Sequence, residues 1–427
     1  MTIIHPTPQQ LEWQNRGIGV FVHFGLNTYF GKEWSNGTLP ASAFNPVDFD
    51  AAEWVRSILS WGANYVVVTA KHHDGFCLWQ TDTTDYSVAN SPWKDGRGDI
   101  IAEVAEECHK QGLGLGLYLS PWDRNTPLYS DNKAYDDFYI AQLTELCTRY
   151  GPLMELWFDG AGSEGHEYNW PRIMSVIDEH QPHAMVFNMG KPTIRWAGNE
   201  NGLAEDPVEY VVNHTKMSNY TVVLSEFAEN LYLPPECNVS IRRGWFWHPD
   251  DAPKTLEHLL GVYYRSVGLG CNLLINLPPM QNGQFDPADT QRMDEWRAEL
   301  DRRFAHPLVA TVTVQESLPG DAPGTTRWVA RFPEEVLIDH LRLAESLEQG
   351  QRIAEHRVYA NSALLCAGGS VGVSRLQVFE RQKLRELSIV TAGESPQLVS
   401  VEGFLTGHSE LPSIPEDYQA PTDYPVD

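Results

Sequence analysis

The sequence predicts an α/β protein: a (β/α)8-like barrel over residues 1–304, a β-sandwich over 305–411 and an extended acidic tail over 412–427. Three observations carry this reading. Between residues 18 and 304, short apolar runs alternate with amphipathic stretches of helical period, the pattern of repeated βα units. No GxGxxG turn follows the first apolar run, which favours a closed barrel over a doubly wound open sheet. Beyond residue 305 the pattern changes to short alternating segments broken by Gly, Pro and Asp, as in two packed antiparallel sheets.

The elements follow in order. Ile18–Phe24 is a strand apolar on both faces. Asp50–Gly62 is a helix with Asp50 and Glu53 as a capping box, Trp54, Val55, Ile58 and Leu59 on one face and Gly62 at its end. The cycle continues with strand Tyr65–Ala70, helix Asp99–Gln111, strand Leu113–Leu119, helix Ala134–Tyr150, strand Met154–Phe158, helix Trp170–Glu179 and strand Ala184–Asn188. Gly190–Ser240 is the least regular stretch, and within it Thr221–Phe227 reads as a further strand. Helix Thr255–Val267, strand Asn272–Leu277 and helix Pro287–Phe304 complete the barrel. The sandwich strands are expected at Thr311–Val314, Arg327–Phe332, Val336–Leu343, His356–Ala360, Leu376–Phe379, Leu387–Val390 and Leu398–Phe404.

Composition narrows the function. The chain carries 57 acidic against 31 basic residues, a net charge of −26, with no basic stripe. Nucleic acids and anionic membranes are therefore poor partners, and a neutral substrate fits better. The 14 Trp and 17 Tyr offer flat faces for sugar rings as well as core packing. Met1–Pro6 lacks the charged and apolar regions of a signal peptide, and no run approaches the ~20 apolar residues of a membrane span. The six cysteines are scattered, without CxxC spacing, so free thiols and a cytoplasmic location are expected.

A (β/α)8 barrel builds its site at the C-terminal ends of its strands. Those ends carry His23, then Lys71-His72-His73-Asp74, then Tyr118 with Trp122 and Asp123, then Trp157 and Asp159, then Asn188. Asp159, between Phe158 and Gly160, is held where a nucleophile could meet an anomeric carbon in line. Glycosidases need a second carboxyl group. The candidates for general acid/base are Glu200, in a Gly-Asn turn near Arg195 and Trp196, Glu205, Glu226 and Glu236; Glu200 and Glu236 are the chief rivals, and chemistry alone does not choose between them. His23, His72 and His73 could instead ligate a metal, but adjacent histidines on a strand point to opposite faces unless the backbone distorts. There is neither an HxH after the first strand nor an HExxH, so no metal and no cofactor are expected.

At this point a resemblance becomes specific. GVFVHFG (19–25), KEW (32–34), TAKHHDGFCLW (69–79), LYLSPWDRN (117–125), LWFDG (156–160) and NLLINLPP (272–279) are similar to segments of the family 29 glycoside hydrolases, the α-L-fucosidases. The resemblance implies a retaining double displacement without metal, with Asp159 as nucleophile. It also implies that His23, Glu33, Trp34, His72, His73, Tyr118 and Trp157, with Trp245 of the GWFWH segment, hold the fucose of a fucosylated oligosaccharide. RWAGNENG and ECNVSIRRGWFWH resemble the subgroup preferring α-1,3/1,4-linked fucose, in which the GNE glutamate, here Glu200, is the acid/base. Met280 and Trp247 depart from the family pattern and put linkage preference, rather than the reaction, in question. The competing classes are a metal-dependent barrel hydrolase and a non-catalytic fucose-binding protein.

Overall fold

Eight short parallel strands, alternating side chains between an inner and an outer face, form the centre of the molecule. The computed structural model describes residues 4–217, 224–315 and 324–415. The strands are β1 (Ile18–Val22), β2 (Tyr65–Lys71), β3 (Gly114–Leu119), β4 (Glu155–Trp157), β5 (Met185–Phe187), β6 (Arg195–Trp196), β7 (Pro235–Ser240) and β8 (Asn272–Asn276). Their order in the sheet is β5-β4-β3-β2-β1-β8-β7-β6, and a parallel bridge between Phe187 and Ile194 brings the two edges together. The result is a nearly closed (β/α)8-like barrel followed by a C-terminal β-sandwich.

Outward residues such as Val20, Val22, Val66, Val68, Leu117 and Val239 pack under the helices. Inward residues, among them Phe21, Tyr65, Val67, Tyr118, Trp157, Phe187, Trp196 and Leu274, fill the barrel. Helices Ala51–Ser60, Ile100–Gln111, Asn132–Arg149 and Trp170–His180 follow the first four strands, and Leu256–Tyr264 and Pro287–Phe304 follow the last two. Each begins where a side chain can satisfy its free N–H groups. Asp50, Asp99, Asp131, Asn169, Thr255 and Asp286 all accept from the first turn.

The structure corrects the sequence reading in four places. Thr221–Phe227 is not a barrel strand: residues 221–223 lie outside the described residues, and Leu224–Tyr232 pairs antiparallel with Val211–Lys216 in a separate hairpin. The barrel takes β6 and β7 instead. The polar inward residues Glu236, Asn238 and Ser240 break the apolar run that marks a buried strand. Second, helix Pro8–Gln14, too short to show a period, lies at the N-terminal end of the barrel and sends Trp13 into its interior. Third, the segments 327–332 and 336–343 belong to one strand, Thr325–Glu345, with a register shift between Arg331 and Val336. Segments 376–379 and 387–390 likewise merge into Arg375–Gly393, which pairs with Thr325–Glu345 and with Ile353–Ala360. Fourth, Ala363–Gly368 is an additional strand.

Gly19 shows how tightly the interior is filled. A methyl group at this position would enter the ring of Tyr65, which is wholly buried against it. Gly19→Ala should therefore destabilise the fold by about 1–3 kcal/mol, as overpacked cores do. Urea unfolding of the two proteins checks this, and an unchanged midpoint would count against it.

Candidate active site

Above the filled interior the inward residues become polar, and a pocket of ≈ 670 Å³ opens at the C-terminal ends of the strands. His23 follows β1 directly. Its Nδ1 lies 2.9 Å from Asn276 Oδ1, while the Asn276 amide donates to the Trp245 carbonyl at 2.8 Å. The amide oxygen can only accept, so His23 Nδ1 carries the proton and Nε2 is left as an acceptor. His73 is set in the same way. Its Nδ1 sits 2.7 Å from Ser120 Oγ, whose own proton goes to the Trp122 carbonyl. His72 stacks on Tyr118 with an interplanar angle of 12°.

Both His72 and His73 line this one pocket, with ring centroids 4.2 Å apart. The expectation that they point to opposite faces does not hold, because β2 ends at Lys71 and both histidines lie in the turn that follows, closed by Gly75 N donating to the His72 carbonyl. Burial holds all three imidazoles neutral: His23 is lowered to about 3, His73 to about 4 and His72 well below its ordinary value. Among the described residues no three His, Cys, Asp or Glu side chains form a group that could hold a metal ion.

Two of the polar strand-end residues serve the framework instead. Lys71 is buried with Nζ 2.9 Å from both Asp123 Oδ2 and Gln142 Oε1. Asp74 caps its own turn by accepting from Phe76 N.

Three carboxyl groups face the pocket. Asp159, two residues beyond β4, has its side chain 26% exposed. Tyr118 Oη donates to its Oδ2 at 3.0 Å, Ala161 N donates to its Oδ1 at 2.9 Å, and His73 Nε2 stands 3.6 Å from Oδ2. The two hydrogen bonds, from Tyr118 and Ala161, fix the orientation of the carboxylate. Glu200 comes from the turn after β6, with Trp245 Nε1 3.3 Å from Oε2. Burial, reinforced by the Asp159 charge, raises its pKa to about 7. Glu33, from the loop after β1, accepts from Trp245 N at 2.8 Å and Phe246 N at 3.3 Å. Burial raises it to about 8 against those two donors.

The rival glutamates lie elsewhere. Glu236 is 0% exposed in the barrel interior. Tyr65 Oη donates to one of its oxygens at 2.7 Å and Trp157 Nε1 to the other at 3.0 Å. It does not line the pocket. Glu205 and Glu226 are exposed and do not line the pocket, Glu226 standing on the hairpin opposite His214.

Asp159, Glu200, His23, Glu33, Trp34, His72, His73, Trp157 and Trp245 thus share one pocket, and Tyr118 meets Asp159 from beneath. Arg195 is not a neighbour of Glu200 in any useful sense, since its guanidinium turns to the carbonyls of Trp196 and Glu209. Sequence reasoning missed Asn238, Asn276, Phe187 and Met217. Asn276 was discoverable from the alternation Asn272, Leu274, Asn276 along β8. Met217 carried no signal.

An acidic, aromatic and imidazole-lined pocket on a (β/α)8 barrel defines a class, the sugar-processing hydrolases. The Alpha-L-fucosidase family model matches residues 38–300. The chain is 37% identical over 412 residues to alpha-L-fucosidase 1 of Arabidopsis thaliana, covering 88% of this chain and 81% of the relative. A family 29 glycoside hydrolase from a rumen bacterium superposes with a TM-score of 0.84 at 30% identity, covering 97% of this chain and 79% of the other. A Ruminococcus gnavus family 29 fucosidase in complex with fucose superposes with a TM-score of 0.82 at 28% identity, covering 94% and 95%. The chain belongs to the family 29 glycoside hydrolases and is an α-L-fucosidase. No described helix is long and apolar enough to cross a membrane.

Glu236 and its neighbour Glu155 provide a test of the buried floor. Burial raises the pKa of both above the ordinary carboxylate value. A carboxyl raised in the folded state stabilises fully below its unfolded pKa, and that contribution is lost as pH rises through the folded pKa. Wild-type melting temperature should therefore fall between pH ~5 and ~8, and Glu236→Gln should flatten the fall. Calorimetry across that range decides, and parallel curves would show that the pair does not titrate with folding.

Proposed function

We propose that the enzyme is a retaining exo-α-L-fucosidase that removes terminal α-1,3/1,4-linked L-fucose from oligosaccharides, with Asp159 as nucleophile and Glu200 as general acid/base. The observation that carries this reading is the contrast between two carboxyl groups in one pocket. Asp159 is oriented by a hydroxyl and a backbone N–H, while burial beside it keeps Glu200 protonated up to about pH 7.

In the first step an Asp159 oxygen attacks C1 of the fucosyl group as Glu200 gives its proton to the departing glycosidic oxygen. The product is a fucosyl ester of Asp159 and a free alcohol. Glu200, now a carboxylate, takes a proton from water, the water oxygen attacks C1, and Asp159 leaves. Two inversions retain the anomeric configuration. The acceptor Nε2 atoms of His23 and His73 suit sugar hydroxyl donors, and the indoles of Trp34, Trp157 and Trp245 suit the apolar face of the ring. The linkage preference rests on the GNE turn that bears Glu200. A panel of α-1,2-, α-1,3-, α-1,4- and α-1,6-fucosylated oligosaccharides tests it, and preferential release from an α-1,2 or α-1,6 linkage would reject it.

Asp159→Asn should fold normally and lose roughly 10³-fold or more in turnover, with azide restoring release of a fucosyl azide of inverted configuration. Retention of a tenth of wild-type turnover would remove Asp159 from the role. For Glu200 the expected signature depends on the leaving group. Glu200→Ala should abolish hydrolysis of a fucosylated oligosaccharide but spare fucosyl-enzyme formation from an activated aryl fucoside. Wild-type kcat/KM should fall as pH rises through about 7, where Glu200 loses its proton, and the variant should lose that limb. If Glu236→Ala gives this whole pattern and Glu200→Ala does not, the assignment is reversed.

A further inference from the structure

The β-sandwich meets the barrel on two sides, and one of these contacts leads to the catalytic turns. Residues 206–210 run between the Glu200 turn and the hairpin, and donors and acceptors from the sandwich hold them. Arg375 donates to both oxygens of Asp206, at 2.8 and 2.6 Å. Gln351 Nε2 donates to the Val208 carbonyl at 2.8 Å, and its Oε1 accepts from Tyr210 N at 2.9 Å. Ser370 Oγ donates to the same Val208 carbonyl at 2.8 Å, and Val373 N donates to Tyr210 Oη at 3.2 Å.

From this anchor the chain enters Val211–Lys216, and here it touches the site. Lys216 Nζ donates to the Gly198 carbonyl, two residues before Glu200. The Lys216 carbonyl accepts from Asn188 Nδ2 at 2.7 Å. The next residue, Met217, lines the pocket, and its carbonyl lies so close to Gly160 that no side chain could replace that glycine. A second path is shorter: Arg195 donates to the Glu209 carbonyl at 2.9 Å and sits at the start of β6, which leads into the Glu200 turn.

We infer that the sandwich is a positioning element of the active site: by clamping residues 206–210 it sets the place of Lys216 and Met217, and through them the turns bearing Glu200 and Asp159. Arg375, Asp206, Gln351 and Ser370 are positioning residues, since none of them touches the pocket. The functional half of this inference rests on Glu200 being the acid/base. Its geometric half does not.

The other barrel–sandwich contact provides the control. There Tyr264 Oη meets His340 Nε2 at 2.9 Å, Phe304 packs on Phe404, and Arg302 donates to the Thr406 carbonyl at 2.8 Å. It is remote from residues 206–210 in the chain and holds the sandwich in place when the clamp is weakened.

The test compares Asp206→Asn, Arg375→Gln and Ser370→Ala with the control Arg302→Ala. Hydrogen–deuterium exchange is followed on peptides covering 196–204 and 211–217, and kcat/KM is measured on a fucosylated oligosaccharide and on an activated aryl fucoside. The clamp variants should exchange faster in both peptides. They should lose roughly 3–30-fold in kcat/KM on the oligosaccharide while staying within about twofold on the aryl fucoside, because a displaced acid matters only for a poor leaving group. Arg302→Ala should lower the melting temperature without changing either readout. Unchanged exchange at 196–204 in the clamp variants overturns the inference whatever Glu200 does. Faster exchange with both substrates affected equally overturns its functional half, provided that Glu200→Ala itself discriminates between them. If Glu200→Ala does not discriminate, the acid/base assignment fails, and the exchange data still decide the positioning claim.

Discussion

The hydrogen bond from Trp157 Nε1 to Glu236 Oε1, 3.0 Å long and wholly buried, is the contact on which the upper barrel depends. An indole has a donor and no acceptor, so an indole buried in a barrel needs an acceptor aimed at it. β7 supplies one by turning Glu236 inward. With its N–H fixed, the Trp157 ring stacks on Phe187 at 3.9 Å and lies against Tyr118 at 5.5 Å. The Tyr118 hydroxyl then reaches Asp159. A burial-raised carboxyl below thus sets the angle of the aromatic wall above it. The cost of burying that carboxyl is limited because Tyr65 satisfies its other oxygen.

Burial also decides the chemistry at the top of the barrel. Three imidazoles so close together would repel one another if charged, and desolvation removes the charge. They become fixed dipoles suited to neutral hydroxyl groups. The same exclusion of water drives the pKa values of Glu33 and Glu200 upward. A low-dielectric pocket strengthens each of these interactions relative to water. One physical condition therefore keeps the imidazoles neutral and raises the carboxyl groups in the same pocket.

What could be read in the chain followed the strength of its periodicity. The six helices flanking the barrel strands were legible because each begins at a capping side chain and most carry an apolar face; Pro287–Phe304 has the bounds expected of it. β1 to β5 and β8 were legible as apolar runs ending on polar residues. β6 and β7 were not, because β6 has two residues and β7 alternates Glu, Asn and Ser inward. Glu236 looked like a possible acid in sequence because composition does not reveal which face of a strand a side chain takes. His72 and His73 could be seen as a pair but not as neighbours in one pocket, since the sequence does not show that β2 stops at Lys71 and leaves both in the turn beyond it. Met217 reaches the site through a hairpin whose pairing is long-range, and no local pattern encodes it.

The irregular stretch is where the barrel departs from its own repeat. No helix of the described residues follows β5 or β6, so the outer surface of that side needs another cover. Val208, Tyr210, Tyr232 and Leu233 provide it, all buried, from segments without helical hydrogen bonding. Such a cover leaves backbone groups that regular structure would have satisfied. The sandwich satisfies two of them, the Val208 carbonyl and the Tyr210 N–H, through Gln351 and Ser370. In return the barrel gains a stretch of chain free of the repeat, able to carry Glu200 and Met217 into the pocket. Helices in those two positions would cover the barrel equally well, but their backbone would be committed to its own hydrogen bonds. The part of the pocket wall that Met217 and Glu200 form would then have to come from elsewhere in the chain.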